Sequence, residues 1–331
     1  MRPDYVSTLD DLWTRAIAPR KANAPTVVST FAGAGGSSLG YHAAGFNELL
    51  AVEWEPHAAA QLRANFHMKV YEGDIANVTA DMIDLKPGEL DVLDGSPPCQ
   101  GFSLAGKRNP DDARNNLFLE YTRLANVWRP KVLVMENVPG MLLGHARRVF
   151  NAVVAEMRKA STGYNVSVKV LNGDALGGAS IRKRLIFIGV RKDIGVPVFP
   201  KPEYGYTVRE AFHDVPPAEH SDIPPSLQNL IAYVPKGKNA ATVIPWGFNI
   251  VKLQWDRPSN TLPKYIRHAS LLHPGEPRFL TTAEMKRIQG FPDQYVFSGT
   301  PQQIQDRIGN SVMPPVSYRI AATIRRDILH A

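Results

Sequence analysis

The chain has 331 residues, 44% apolar and 21% charged, a balance that excludes a disordered chain and allows one large or two ordinary domains. No apolar run approaches the about 18 residues of a membrane span, and residues 1–25 carry Asp4, Asp10 and Asp11 without the apolar core of a secretory signal. The one cysteine, Cys99, excludes a disulfide framework and an all-cysteine metal site, while a net charge of +7 favours a polyanionic partner.

Leu9–Ile17 has the spacing of a small amphipathic helix whose use is packing. Thr26–Phe31 reads as a strand, followed by the glycine-rich turn Phe31-Ala32-Gly33-Ala34-Gly35-Gly36 and a helix through Leu39, Tyr41 and Ala44. Leu49–Glu53 is the next strand and Pro56–Asn65 the next helix. Such a turn lets a backbone approach a ligand closely. Glu53, 20 positions after Gly33, ends its strand where a carboxylate in this kind of fold accepts ribose hydroxyls. A dinucleotide fingerprint needs a third glycine at position 38, where Ser38 stands, so NAD is disfavoured. Trp54 offers a face for adenine, and Asp74-Ile75, after a third strand, offers an acceptor for its exocyclic amine. Taken singly these are a tight turn, an exposed acid and a packed indole; together they fit an adenosine without phosphates, as in S-adenosylmethionine.

A strand at Asp91–Leu93 leads into Asp94-Gly95-Ser96-Pro97-Pro98-Cys99-Gln100-Gly101-Phe102-Ser103. A lone cysteine is most often a small buried hydrophobe. Here two prolines fix the backbone before it, at the strand end where open α/β sheets bind ligands, a placement that suits a nucleophile. The strand Val132–Met135 runs into Glu136-Asn137-Val138, which puts a carboxyl at the adjacent strand end. Cysteine and carboxyl over an adenosine pocket form a covalent-catalysis constellation. Strands at Val166–Val170 and Leu185–Val190 complete a strand–helix alternation that calls for a parallel sheet with helices on both faces. From about residue 192 to 280 the chain is proline-rich with few periodic segments, which reads as a second, loop-rich domain. Thr281 and Glu284 then suggest a helix N-cap, and a last helix is expected over Val316–Leu329. The expected domains are 24–191 plus 281–331, 192–280, and an N-terminal extension over 1–23.

FAGAGG, EW, GDI, PPCQGFS, ENV, the Arg182-Lys183-Arg184 run, RIQGFP at 287–292 and GNSV at 309–312 occur in one order. On that ordered set the chain resembles the DNA cytosine-5 methyltransferases of the bacterial modification type, over residues 26 to about 325. The resemblance implies a doubly wound, Rossmann-like α/β domain dependent on S-adenosylmethionine, with residues 192–280 as a target-recognition domain. It implies that Cys99 adds to carbon 6 of a cytosine flipped out of duplex DNA, making carbon 5 able to attack the sulfonium methyl. Glu136 would hydrogen-bond and protonate nitrogen 3, and Arg184, with Arg182 beside it, would bind the oxygen on carbon 2. Cofactor contacts fall on Phe31, Gly33, Gly35, Gly36, Glu53, Trp54, Asp74, Ile75, Pro98, Leu117, Asn310 and Ser311. Gln100, Ser103, Lys107, Arg108 and Arg114 lie on a loop that would close over the DNA.

Residues 232–278 hold seven Lys or Arg against two acids, with aromatics interleaved, and Lys236, Lys238 and Arg257 are the expected phosphate contacts. A solvated basic face is the ordinary alternative. Two departures from the family pattern stand out: Ser29 where an acid is usual in the first strand, and Ser180 where a glutamine is usual. No metal is expected. The implied protein is a monomer acting on the nucleoid in a bacterial cytoplasm, with a companion restriction endonuclease plausible. A transfer-RNA methyltransferase of the same kin would carry a second cysteine in a Cys-Phe-Thr motif, which a one-cysteine chain lacks. An inactive DNA-binding module would have no need of Cys99, Glu136 and Arg184 together.

Overall fold

Short runs of β-branched and aliphatic residues form Thr26–Thr30 (β1), Asn47–Glu53 (β2), Val70–Glu72 (β3), Val92–Gly95 (β4), Val132–Asn137 (β5), Tyr164–Asn172 (β6) and Lys183–Arg191 (β7). The computed structural model describes residues 2–98, 117–144, 146–217, 225–243, 250–264 and 270–331. The seven strands make one sheet in the order β3-β2-β1-β4-β5-β7-β6. β1 to β5 are mutually parallel, and β7 runs antiparallel to β5. β4 is buried along its whole length and β5 at every residue but Glu136, as strands covered on both faces must be. The fold is α/β with a mostly parallel, Rossmann-like sheet.

Helices Gly36–Ala43 (α2), Pro56–Asn65 (α3), Leu117–Trp128 (α4) and Ala146–Lys159 (α5) lie between these strands in the chain. α3 begins where the sequence places it, because Glu55 caps the amides of His57 and Ala58 and Pro56 supplies the preset φ of a first turn. The first helix, α1 (Tyr5–Ile17), begins four residues before the expected Leu9. Tyr5 is fully buried, and Asp4 stabilises the start by accepting from the Ser7 amide at 2.8 Å.

Two compact units divide the chain. The larger comprises Arg15–Leu171, Lys183–Lys201 and Ser317–Ala331, and the smaller Met1–Thr14, Asn172–Arg182 and Pro202–Val316. This partition differs from the expected one at both ends. Residues 1–14 do not stand apart as an extension: Tyr5 and Leu9 belong to the core of the smaller unit, with Tyr206, Val208, Met285 and Ile288. Tyr5 OH donates to the Arg287 carbonyl at 2.7 Å. Residues up to Val316 likewise fall in the smaller unit, which also holds Val208–Ala211 (α6), Pro225–Ala232 (α7), Thr282–Gln289 (α8), Pro301–Asn310 (α9) and the strand pair Ile250–Lys252 (β8) and Ser270–Leu272 (β9). α8 opens with the expected cap, a reciprocal box in which Thr281 accepts from the Glu284 amide and Glu284 from the Thr281 amide.

The last helix, Pro314–Asp327 (α10), begins two residues before the expected Val316. Within the larger unit its Ser317 hydroxyl donates to Gly36 O at 3.0 Å. A Cβ at Gly40 would stand 2.1 Å from that hydroxyl oxygen, so only glycine permits this approach. Among the described residues no helix is long and apolar enough to cross a membrane, and no group of three His, Cys, Asp or Glu is placed to hold a metal ion.

Candidate active site

Parallel register brings the carboxyl ends of β3, β2, β1, β4 and β5 to one edge of the sheet. Glu53 pairs with Glu72, Thr30 with Val52 and Gly95, and Gly95 with Met135. Every described candidate residue of the larger unit follows one of these strand ends or, like Leu117, opens the helix behind them.

The glycine turn leaves β1 through two left-handed residues, Phe31 (φ 53°) and Gly33 (φ 55°), and Gly35 (φ 80°) precedes the first turn of α2. A Cβ at Gly33 would meet no atom within 4 Å, so the outer face of the turn is open. Glu53 holds the turn from the neighbouring strand: Oε2 accepts from the Gly33 amide at 2.7 Å and Oε1 from the Glu55 amide at 2.9 Å. Burial pushes this carboxyl above its ordinary value, against the pull of those backbone donors. Trp54 is 77% exposed directly after it, which leaves the indole face free for stacking. Asp74 Oδ1 accepts from the Ala76 amide at 2.9 Å, and Oδ2 has no hydrogen bond among the described residues. Ile75 is buried, and Phe31 and Leu117 are partly buried against the same core cluster. An open glycine turn, a free indole face, a carboxylate oxygen and an apolar floor fit the adenosine of S-adenosylmethionine.

The reactive loop enters the site under tight control. Pro97 is buried, Pro98 half-buried, and Asn137 Nδ2 donates to Pro97 O at 3.2 Å. The Val138 amide donates to Asn137 Oδ1 at 2.8 Å, which orients the side-chain amide. Cys99, Gln100, Ser103, Lys107, Arg108 and Arg114 lie outside the described residues. On the neighbouring strand end, Arg184 Nε lies 2.6 Å from Glu136 Oε1, with both side chains mostly sheltered. Antiparallel pairing of β5 with β7 places Glu136 opposite Ile186, two residues from Arg184, which makes this meeting possible. Glu136 Oε2 has no other partner among the described residues.

Arg182 has a different environment from Arg184. It is 3% exposed in the smaller unit, and its η-nitrogens donate to Leu262 O at 3.2 Å and Gly309 O at 2.6 Å. It thereby holds the turn before Asn310 and Ser311. Ser311 is fixed further by Gln289 Nε2 donating to its carbonyl at 2.6 Å, while Asn310 is exposed.

The basic stretch is sorted by its contacts. Lys252 is buried and donates to Ala232 O at 3.2 Å, and Arg278 forms a fork to Glu284 at 2.8 and 2.9 Å. Neither is available to a phosphate. Lys236, Lys238, Arg257 and Lys264 are exposed, and Arg267 lies outside the described residues. Lys236 and Lys238 sit on a β-turn closed by the Lys238 amide to Pro235 O at 3.1 Å, with Gly237 at φ 76°. That turn is pinned to β8 through the Gly237 amide to Lys252 O at 2.7 Å. Beside it in the chain, Tyr233 is 76% exposed. Sequence reading gave no role to Tyr233 or Asn137; an amide residue directly after a strand-end carboxylate is the signal that could have flagged the second.

A family model described as C-5 cytosine-specific DNA methylase matches residues 26–326. The Type II methyltransferase M1.HphI of Haemophilus parahaemolyticus is 34% identical over 330 residues, covering 90% of this chain and 86% of that protein. The Type II methyltransferase M.PspPI of Psychrobacter sp. is also 34% identical, over 96% of this chain and 82% of its own length. Among solved structures, a DNA modification methyltransferase named as encoded within an E. coli prophage superposes with a TM-score of 0.77 at 25% identity, over 93% of this chain and all of its own.

Proposed function

The chain belongs to the C-5 cytosine-specific DNA methylases, the kind found in Type II restriction–modification systems, and on that premise we propose the residue roles by which it methylates DNA. When bound, S-adenosylmethionine supplies the methyl group that carbon 5 of cytosine receives. Phe31, Gly33, Gly35, Gly36, Glu53, Trp54, Asp74, Ile75, Pro98 and Leu117 bind it, with Asn310 and Ser311 from the later turn. Glu53 acts in part by holding the Gly33 turn, and Asp74 Oδ2 takes the adenine amine.

Carbon 5 of cytosine is a poor nucleophile, so the chain has to activate it. The Cys99 thiolate adds to carbon 6 of a cytosine turned out of the duplex, and the electron pair of the former double bond becomes available at carbon 5. Glu136 shares a proton with nitrogen 3 through Oε2, while Arg184 holds Oε1 and faces the carbon 2 oxygen. Loss of the carbon 5 proton to a base then expels the Cys99 thiolate and restores the ring. Arg182 is a positioning residue that acts through the turn at Gly309.

The observation that carries this reading is the 2.6 Å pair of Arg184 and Glu136, at the strand end whose next residue, Asn137, bonds the backbone entering Cys99. Gln100, Ser103, Lys107, Arg108 and Arg114, with Lys236, Lys238 and Arg257, contact the DNA. The working form is a monomer in a bacterial cytoplasm at the nucleoid, beside a companion endonuclease. Methyl transfer from labelled S-adenosylmethionine to duplex DNA, with transfer RNA as the competing acceptor, tests the reading. Bisulfite sequencing of DNA from cells expressing the chain gives the site. Label on transfer RNA alone, or at a position other than carbon 5, overturns it.

A further inference from the structure

α2, the helix that follows the glycine turn, rests on two buried carboxylates. Ser37 Oγ donates to Asp94 Oδ2 at 2.6 Å and Tyr41 OH to Asp94 Oδ1 at 3.3 Å. One position along, Ser38 Oγ donates to Glu48 Oε1 at 3.0 Å, and His42 Nε2 lies 3.0 Å from Glu48 Oε2. Ser37 with Tyr41 and Ser38 with His42 are each four apart, so two adjacent stripes of the helix each meet one carboxylate. Glu48 belongs to β2, the strand of Glu53, and Asp94 to β4, the strand that runs into Pro97, Pro98 and Cys99. Asp94 is further anchored to β1, since Thr30 Oγ1 donates to its carbonyl at 3.0 Å.

We infer that Asp94 is a positioning residue for methyl transfer: through Ser37 and Tyr41 it fixes the start of the cofactor-loop helix relative to the strand that delivers the reactive cysteine. The inference rests on the roles proposed for the glycine turn and Cys99. Ser37 is the second residue of α2 and follows Gly35-Gly36 directly, while Asp94 stands five residues before Cys99. One carboxylate with both oxygens engaged therefore ties together the two backbone segments whose ligands must meet. A side chain 5% exposed and surrounded by core is an expensive place for a charge, and a well-packed neutral residue would serve the fold better. Retaining an acid there is the pattern of a site residue kept at a cost in stability.

The groups facing Asp94 set when the clamp is charged. Ser37 and Tyr41 come from α2, Glu48 from β2, Glu136 from β5 and Tyr121 from α4. Burial, reinforced by the two carboxylates, lifts Asp94 to about 7 against the hydrogen bonds of Ser37 and Tyr41. Both tyrosines stay neutral, held well above their ordinary value by burial. Above pH 7 the ionised carboxylate accepts from both hydroxyls; below it, one oxygen carries a proton and one of those bonds must rearrange. The stability sign is opposite. A carboxyl raised on folding contributes stability that is complete below its unfolded value and lost as pH rises through about 7. At pH 8 the folded protein carries the buried charge without that contribution.

Asp94→Asn, Ser37→Ala and the double variant test this. The readouts are KM for S-adenosylmethionine and kcat on duplex DNA from pH 5.5 to 9, cofactor affinity by calorimetry, and thermal melting at pH 8. Asp94→Asn is expected to lose the wild-type rise in kcat/KM near pH 7 and to weaken cofactor binding about fivefold or more. Ser37→Ala shifts the same parameters, and the double variant is no worse than the more impaired single variant. Asp94→Asn melts at or above the wild-type temperature at pH 8. A folded Asp94→Asn enzyme with wild-type cofactor affinity and pH profile overturns the inference, as does a loss of activity that comes with a lower melting temperature. If the wild-type chain transfers no methyl group to DNA, the parent reading fails instead. Calorimetry then still decides the clamp, since unchanged cofactor affinity in both single variants overturns it.

Discussion

Asn137 Nδ2 donates to the carbonyl of Pro97 at 3.2 Å, a buried bond that joins the end of β5 to the backbone two residues before Cys99. Glu136 precedes Asn137 on the same strand, so one strand end carries the acid and also holds the approach to the nucleophile. Asn137→Ala removes the donor and leaves a buried carbonyl unpaired, at a cost of about 1–3 kcal/mol. The expected outcome is a fall in kcat of roughly tenfold or more with cofactor affinity unchanged, because no atom of the glycine turn is touched. Single-turnover methyl transfer beside calorimetry separates the two quantities, and equal losses in both would place Asn137 in the cofactor pocket instead.

The N-terminal helix carries a stability prediction. Tyr5 is fully buried against Tyr206, with ring centroids 4.5 Å apart and its hydroxyl on Arg287 O at 2.7 Å. Tyr5→Ala should cost about 3–5 kcal/mol of the smaller unit's stability, and Tyr5→Phe only about 1 kcal/mol, since it loses the hydrogen bond and keeps the ring. Urea unfolding, with hydrogen exchange read on residues 202–316, checks both. Equal effects of the two substitutions would show that the hydroxyl, not the ring, holds α1.

Sequence patterning reached the sheet and the order of its functional strand ends because both are local. An apolar run ends at Glu53, another at Glu136, and Pro56 marks a helix start on its own. It missed what depends on contacts distant in the chain. Residues 1–14 gave only an amphipathic period, and nothing in that period says its apolar face packs with Tyr206 and Ile288. The basic stretch read as seven equivalent cations, but Lys252 and Arg278 are spent inside the fold. Ser29, where the resemblance calls for an acid, pairs in register with Asp94 across β1 and β4. The buried acid thus stands one strand over, on the same row of the sheet, a relation that only the register reveals.

For DNA, Lys236 and Lys238 are the cations whose backbone is best held, on a turn fastened to β8 by the Gly237 amide to Lys252 O at 2.7 Å. A fixed turn loses little entropy when its lysines meet phosphates. Lys236→Ala with Lys238→Ala should weaken binding to any duplex and lower the slope of log K against log salt by about 2, near 0.9 for each phosphate released. Binding titrations from low to moderate salt measure that slope. An unchanged slope returns these lysines to the solvated face.

Cys99 carries the chemistry of the proposed mechanism, and a cytosine with fluorine at carbon 5 interrogates it directly. Attack of the thiolate on carbon 6 and methyl transfer to carbon 5 leave fluorine where a proton would depart. Fluorine does not leave as a cation, so elimination stops and the sulfur–carbon bond persists. A covalent protein–DNA adduct is therefore expected on duplex DNA holding the fluorinated base at the target site, and only with S-adenosylmethionine present. Cys99→Ser should form it at least about a hundredfold more slowly, because a hydroxyl is far less ionised than a thiol near neutral pH. Its DNA binding should persist, since the phosphate contacts lie on other residues. Glu136→Gln should slow adduct formation without abolishing it: Arg184 loses its ionic partner and nitrogen 3 loses its proton source, yet the thiolate remains. Mass spectrometry of the digested adduct locates the bond. Attachment at any residue other than Cys99, or full methyl transfer by Cys99→Ser, would sink the assignment of the nucleophile while leaving the family membership untouched.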